Sequence, residues 1–223
     1  MSHHRSSTPA AVLWDMDGTL VDTEPYWIEA EYALVGAHGG TWTDEHAHAL
    51  VGNALLASAE YIREHGGVDL PPEDIVTALL VDVVRRARER MPWRPGAREL
   101  IADLASLSIP CALVTMSYQV LTDAVVAELA PLSFDAVVTG DQVTDGKPHP
   151  EAYLTAAALL GVDPSRCVAI EDSPTGIESA QAAGCVVLAV PHHVPIEPGP
   201  GRTLVHSLED VTVADLDRLV RDS

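Results

Sequence analysis

Hydrophobic residues along this chain follow two rhythms. Between Tyr26 and Arg90 they recur at helical spacing, in Tyr26–Val35, Ala47–Val51, Leu55–His65 and Pro72–Arg90, with breaks at Gly39-Gly40, Gly66-Gly67 and Pro71-Pro72. The segment Asp22-Thr23-Glu24-Pro25 predicts the start of the first helix, a capping side chain followed by Pro in the first turn. From Cys111 onward the rhythm changes. Short apolar runs at Ala112–Val114, Ala136–Val138, Val168–Ile170 and Val186–Val190 alternate with helical stretches at Tyr118–Leu129, Glu151–Leu160 and Thr175–Ala183. Strand–helix alternation of this kind predicts a parallel sheet with helices on its faces. Pro191–Gly201 reads as a Pro-rich loop, Thr203–Val205 as an edge strand and Val213–Arg221 as a last helix.

One apolar run, Val12-Leu13-Trp14, precedes the helical block and stops on Asp15-Met16-Asp17-Gly18. Four successive helices do not fit a simple alternation. The economical topology returns the first strand to the later sheet and treats residues 23–91 as an inserted α-helical cap, with residues 1–22 and 92–223 as the core. The two hinges then fall near Asp22-Thr23 and Pro92–Gly96. Side chains alternate along a strand, so Asp15 and Asp17 project to the same side where the strand leaves its sheet, and Gly18 lets the backbone turn away. Ligands of open α/β sheets bind beyond the carboxyl ends of the strands, which is where this pair would sit. Asp-x-Asp-Gly is also good turn chemistry, and it resembles the opening of a calcium loop, although no Glu follows at the required spacing.

Composition narrows the choice of partners. With 47% hydrophobic and 21% charged residues the chain is built to fold, and with 4% aromatics its core is Ala, Val and Leu. Thirteen Lys and Arg against 33 Asp and Glu give a formal charge of −20, which argues against nucleic acid and anionic membranes. An anionic substrate would need a local cation. Cys111, Cys167 and Cys185 each open an apolar run, an odd and unclustered set that fits free thiols in a reducing cytosol. No stretch suits a signal peptide or a membrane span, so the chain reads as soluble and cytoplasmic; a monomer is the expectation. The polar leader Met1–Pro9 reads as disordered, with His3 and His4 solvated.

Three more polar signals fall at strand ends. Leu113-Val114-Thr115-Met116-Ser117 offers a hydroxyl and free N–H groups at a helix start, suited to a phosphate, though Thr in that place is ordinarily a cap. In Gly146-Lys147-Pro148-His149-Pro150 two prolines stiffen the backbone around an ammonium. Ala169-Ile170-Glu171-Asp172 is a strand ending in two acids that point apart, so one binds a metal directly and the other acts through water.

In order and context, these four signals resemble the motifs of the haloacid dehalogenase-like hydrolase superfamily. These are Asp-x-Asp-Gly-Thr, then Ser or Thr, then Lys, then a paired acidic motif. The resemblance covers nearly the whole chain, and the helical insertion is similar to that of the β-phosphoglucomutase and sugar-phosphate phosphatase subfamily. It implies a Rossmann-like α/β core, a small helical cap closing over the substrate, and Mg2+-dependent phosphoryl transfer. On the family's mechanism Asp15 is the nucleophile and Asp17 the acid and base. Thr115, the Met116 N–H and Lys147 hold the transferring phosphoryl oxygens. Asp15, the Asp17 carbonyl and Asp172 ligate Mg2+, with Glu171 acting through water.

The second acid, Asp17, separates the chain from the family's dehalogenases. A phosphosugar mutase is the main alternative, but such mutases carry a hinge His and a cap Arg. Here Trp27 stands ten residues beyond Asp17, and Val51-Gly52-Asn53 has no Arg beside it. Trp27 itself reads as packing within the cap, and His38, His46, His48 and His65 as solvated. A non-catalytic phosphoacceptor module is disfavoured by the cap and by an acid suited to breaking a phospho-aspartate. Substrate identity is not legible; a small phosphorylated metabolite, plausibly a sugar phosphate, is the expectation.

Overall fold

The computed structural model describes residues 8–51 and 53–223; His3, His4 and most of the leader lie outside these, as does Gly52. Six parallel strands form one sheet in the order β3-β2-β1-β4-β5-β6. They are β1 (Ala11–Trp14), β2 (Cys111–Val114), β3 (Ala136–Val138), β4 (Cys167–Glu171), β5 (Val186–Ala189) and β6 (Arg202–Leu204). Each expected strand is present to within a residue or two. β1 sits in the middle, where Leu13 is level with Ala112 on one side and Ala169 on the other.

Both faces of the sheet are covered, which is why its strands are continuous apolar runs. Val12 and Trp14 point into a cluster with α5 (Ala97–Ser106), α6 (Gln119–Leu129) and α9 (Val213–Asp222). Ala11 and Leu13 point the other way, onto α7 (Glu151–Leu160) and α8 (Pro174–Ala182). Helix α5 is absent from the sequence reading. Its signal was present: Leu100, Ile101 and Leu104 share one buried face, and Gly96, at φ +80, turns the chain into it. All three cysteines are buried and free.

Between β1 and α5 lie α1 (Glu24–Ala37), α2 (Asp44–His48), α3 (Leu55–Gly66) and α4 (Pro72–Glu89). Helix α4 is central to this group. Ile75, Leu79 and Val83 follow helical spacing on its buried side, and it packs against α1, α3 and α6. The segments entering and leaving the group run side by side. Asp22 N–H donates to Pro92 O (2.8 Å), Arg94 N–H donates to Leu20 O (3.0 Å), and Val21 bridges Trp93. The expected hinges therefore brace each other.

One local expectation fails. Thr23 occupies the N-cap position of α1, but its hydroxyl does not cap the helix; it donates to Asp17 Oδ1 at 2.5 Å. Pro25 has no N–H and the Tyr26 N–H already lies on Thr23 O (2.8 Å), so the first turn offers the hydroxyl no donor there, and its proton goes to the carboxylate across the loop.

Candidate active site

The carboxyl ends of β1, β2 and β4 bring the four strand-end signals to one place. Asp15 continues β1, with its N–H on Ile170 O (3.0 Å), and its carboxylate is buried. Lys147 reaches it from the Pro-stiffened loop. Lys147 Nζ donates to Asp15 Oδ1 (2.7 Å), Glu171 Oε1 (2.7 Å) and Val114 O (3.1 Å), so all three ammonium protons are placed. Burial alone would lower the lysine's pKa, but Asp15 and Glu171 outweigh it and hold the ammonium charged. Glu171, fully buried, also accepts from Tyr153 Oη (2.6 Å) and Ser173 Oγ (3.2 Å). It is thus the residue that positions Lys147.

Asp17 is held differently. Its Oδ1 accepts from Thr23 and its Oδ2 from Thr115 Oγ1 (3.1 Å) and Ser117 Oγ (2.8 Å). Thr115 is not at a helix start as expected, because α6 begins only at Gln119. Its buried hydroxyl turns onto Asp17 and also accepts the Ser117 N–H (2.9 Å). Between the two acids the chain makes a tight loop, with Leu20 and Val21 N–H both on Met16 O. Gly18 is required there twice over. It sits at φ +89, and a Cβ on it would lie 2.0 Å from Asp172 Oδ2.

Asp172 and Glu171 do diverge: Glu171 turns beneath Lys147, and Asp172 toward the Gly18 loop. Even so, Asp15, Glu171 and Asp172 each present an oxygen within 4.8 Å of the other two. Burial first, then Glu171, pushes Asp15 up to about 7, and burial with Asp15 and Glu171 pushes Asp172 well above the carboxylate range. Asp15 Oδ2 is buried with no hydrogen-bond partner. An orphaned oxygen among repelling carboxylates, with a backbone kept bare at Gly18, fits a small hard cation with oxygen ligands.

Above this floor lies a cavity of about 90 Å3, closed from above by α1, α3 and α4 residues that include Trp27, Glu31, Ser58 and Leu79. Met116 reaches it from below, its Sδ accepting the Lys147 N–H (3.2 Å). Residues 9–184 match the haloacid dehalogenase-like hydrolase family. The chain is a haloacid dehalogenase-like hydrolase. It is 34% identical over 220 residues to hexitol phosphatase A of Escherichia coli, covering 90% of this chain and 92% of that one. It is 33% identical to the phosphorylated carbohydrates phosphatase of Thermotoga maritima, over 78% of this chain and 81% of that one. Among solved structures it resembles CbbY of Rhodobacter sphaeroides in complex with xylulose-(1,5)bisphosphate, with TM-score 0.84, 29% identity, and 94% and 99% of the two chains covered.

In this hydrolase Asp15, Asp17, Thr115, Met116, Lys147 and Asp172 all line this cavity, and Glu171 lies beneath them against Lys147. Missed were Ser117, Thr23 and Tyr153, which orient those residues, and His193, which lines the cavity and donates to Asp22 (2.8 Å). Ser117 stood inside the quoted motif; Tyr153 had no signal beyond helical burial. Trp27 serves twice, packed in the core and lining the cavity. The cap histidines are mixed: His38, His48 and His65 are exposed, whereas His46 is half-buried against Trp42. No helix is long and apolar enough to cross a membrane, among the described residues.

Proposed function

We propose that this hydrolase is a Mg2+-dependent phosphatase of a small phosphorylated carbohydrate, acting through a phospho-aspartate on Asp15. The observation that carries it is the unpartnered Asp15 Oδ2 facing the carboxylate cluster while Oδ1 is fixed by Lys147. An oxygen so held is aimed without being consumed. Asp15 attacks phosphorus; Asp17, steadied by three hydroxyls, gives its proton to the leaving alkoxide and then takes one from the water that breaks the acyl phosphate. Lys147 and the Met116 N–H hold phosphoryl oxygens as charge shifts onto them. Thr115 and Ser117 act by keeping Asp17 in place.

Four carboxylates against one ammonium repel a phosphate dianion. Asp15, Asp172 and the Asp17 carbonyl would hold the metal, with Glu171 behind them; Mg2+, when bound, supplies the missing positive charge. The core of residues 1–22 and 92–223 would supply this chemistry, and residues 23–91 the lid. The lid helices line the cavity from above, and its paired hinges would let it swing to admit substrate. The same reading places the enzyme in the cytoplasm as a monomer. A mutase must hold a second phosphate, yet Lys147 is the one Lys or Arg that lines the cavity among the described residues.

Phosphate release from a panel of sugar, nucleotide and small-acid phosphates, with Mg2+ and with chelator, tests this beside Asp15→Asn. Metal-dependent release by the wild type alone is expected. Equal release in chelator, or by Asp15→Asn, would overturn it.

A further inference from the structure

The roof of the cavity carries polar groups for which the fold provides no partner. Glu24, Trp27 and Glu31 lie three and seven positions apart on α1, on one face of the helix, and all line the cavity. Glu31 is 5% exposed; its Oε2 takes the Trp42 Nε1–H (3.1 Å), and its second oxygen has no hydrogen bond. Ser58, on α3, is 6% exposed, and its hydroxyl is unbonded among the described residues. The half-buried Glu24 carboxyl likewise has no hydrogen bond among the described residues. Their unbonded atoms open onto the cavity, so their hydrogen-bond partners come from whatever fills it, water or substrate. Beside them Trp27, Leu50 and Leu79 offer an apolar wall. A surface that interleaves apolar contacts with acceptors matches a carbon chain that carries both C–H groups and hydroxyls.

We propose that Glu24, Glu31 and Ser58 form the leaving-group subsite, accepting the hydroxyl hydrogens of a neutral polyhydroxylated chain and excluding substrates with a second anionic group. This rests on the phosphatase reading above. Burial pushes Glu24 up to about 8 and Glu31 up to about 7, so near neutrality each carboxyl both gives and takes hydrogen bonds, as hydroxyl recognition requires. A second phosphate would find no Lys or Arg on the roof to neutralise it, among the described residues that line the cavity.

The test is kcat and KM, with Mg2+, for a hexitol monophosphate, a hexosamine monophosphate, a sugar bisphosphate and acetyl phosphate. Wild type, Glu31→Gln and Ser58→Ala are compared, each with a thermal melt. Glu31→Gln keeps the shape and an acceptor for Trp42; Ser58→Ala is the milder change, should the first fold poorly. The hexitol ester should beat the bisphosphate by ~100-fold or more in wild type. Each variant should raise KM for the hexitol ester ~10-fold with a smaller change in kcat, and narrow the hexitol-to-bisphosphate ratio. Three outcomes overturn the assignment: a bisphosphate used as well as the hexitol ester, the hexosamine ester preferred tenfold, or a ratio within twofold of wild type in both variants. Turnover of acetyl phosphate in those cases would leave the phosphatase reading standing. No turnover of any ester would remove both.

Discussion

The floor and the roof of this cavity are built on opposite terms. On the floor the charged groups of the chemistry are fixed by the fold: Lys147 by three acceptors, Asp17 by three hydroxyls, Glu171 by Lys147, Tyr153 and Ser173. On the roof Glu24, Ser58 and half of Glu31 are left open. Rigid positioning suits atoms that must meet a phosphoryl group the same way each time. Unfilled bonding capacity suits groups that wait for a substrate. Strand ends and the loops after them supply the floor and inserted helices the roof, so one strand-end chemistry can be paired with different roofs.

The largest effect should come from replacing the nucleophile whose free oxygen faces the carboxylate cluster. Asp15→Asn should lower kcat by ~10^4-fold or more, measured as phosphate release. Its melting temperature in chelator should equal or exceed wild type, because the change relieves repulsion with Glu171 and Asp172. A fall in both would mean that Asp15 serves folding and not chemistry. Glu171→Gln comes next. It touches no substrate but weakens one of Lys147's two carboxylate partners, and should cost ~10- to 100-fold in kcat with KM nearly unchanged. Ser117→Ala removes one of three donors to Asp17 and should cost ~10-fold, read in the same assay.

The smallest effect sharpens the contrast from the roof. Glu31 is held up at about 7 against an ordinary 4.5, so its neutral form is the one that folding favours. The stability it allows is whole below pH 4.5 and is lost as pH rises through about 7. Glu31→Gln cannot ionise, so relative to wild type it should gain ~2 kcal/mol between pH 5 and pH 8 in urea melts. Parallel pH dependences for the two proteins would show that Glu31 is not a buried acid.

The floor was legible in the sequence because its signals are short, local and repeated at strand ends: acids two apart after Trp14, a Lys between prolines, acids after Ile170. Alternation along a strand is enough to predict where such side chains emerge. What orients them was not legible. Thr23 looked like a helix cap and Tyr153 like ordinary helix core, since a hydrogen bond across more than a few residues leaves no periodic trace. Helix α5 carries plain helical spacing at Leu100, Ile101 and Leu104, but it follows directly on the Pro-rich segment Pro92–Gly96, which reads as a hinge. The roof lay further out of reach. Glu24 and Glu31 are two of 33 acids in the chain, and only their place on the cavity sets them apart.

The most direct measurement is a quench of the enzyme during turnover of a hexitol phosphate, followed by peptide mass mapping, for wild type, Asp17→Asn and Asp15→Asn. With Asp17 unable to activate water, one phosphoryl group should accumulate on the peptide holding Asp15 in Asp17→Asn, and none should appear in Asp15→Asn. A phosphoryl group on any other residue, or undiminished turnover by Asp15→Asn, would contradict the account.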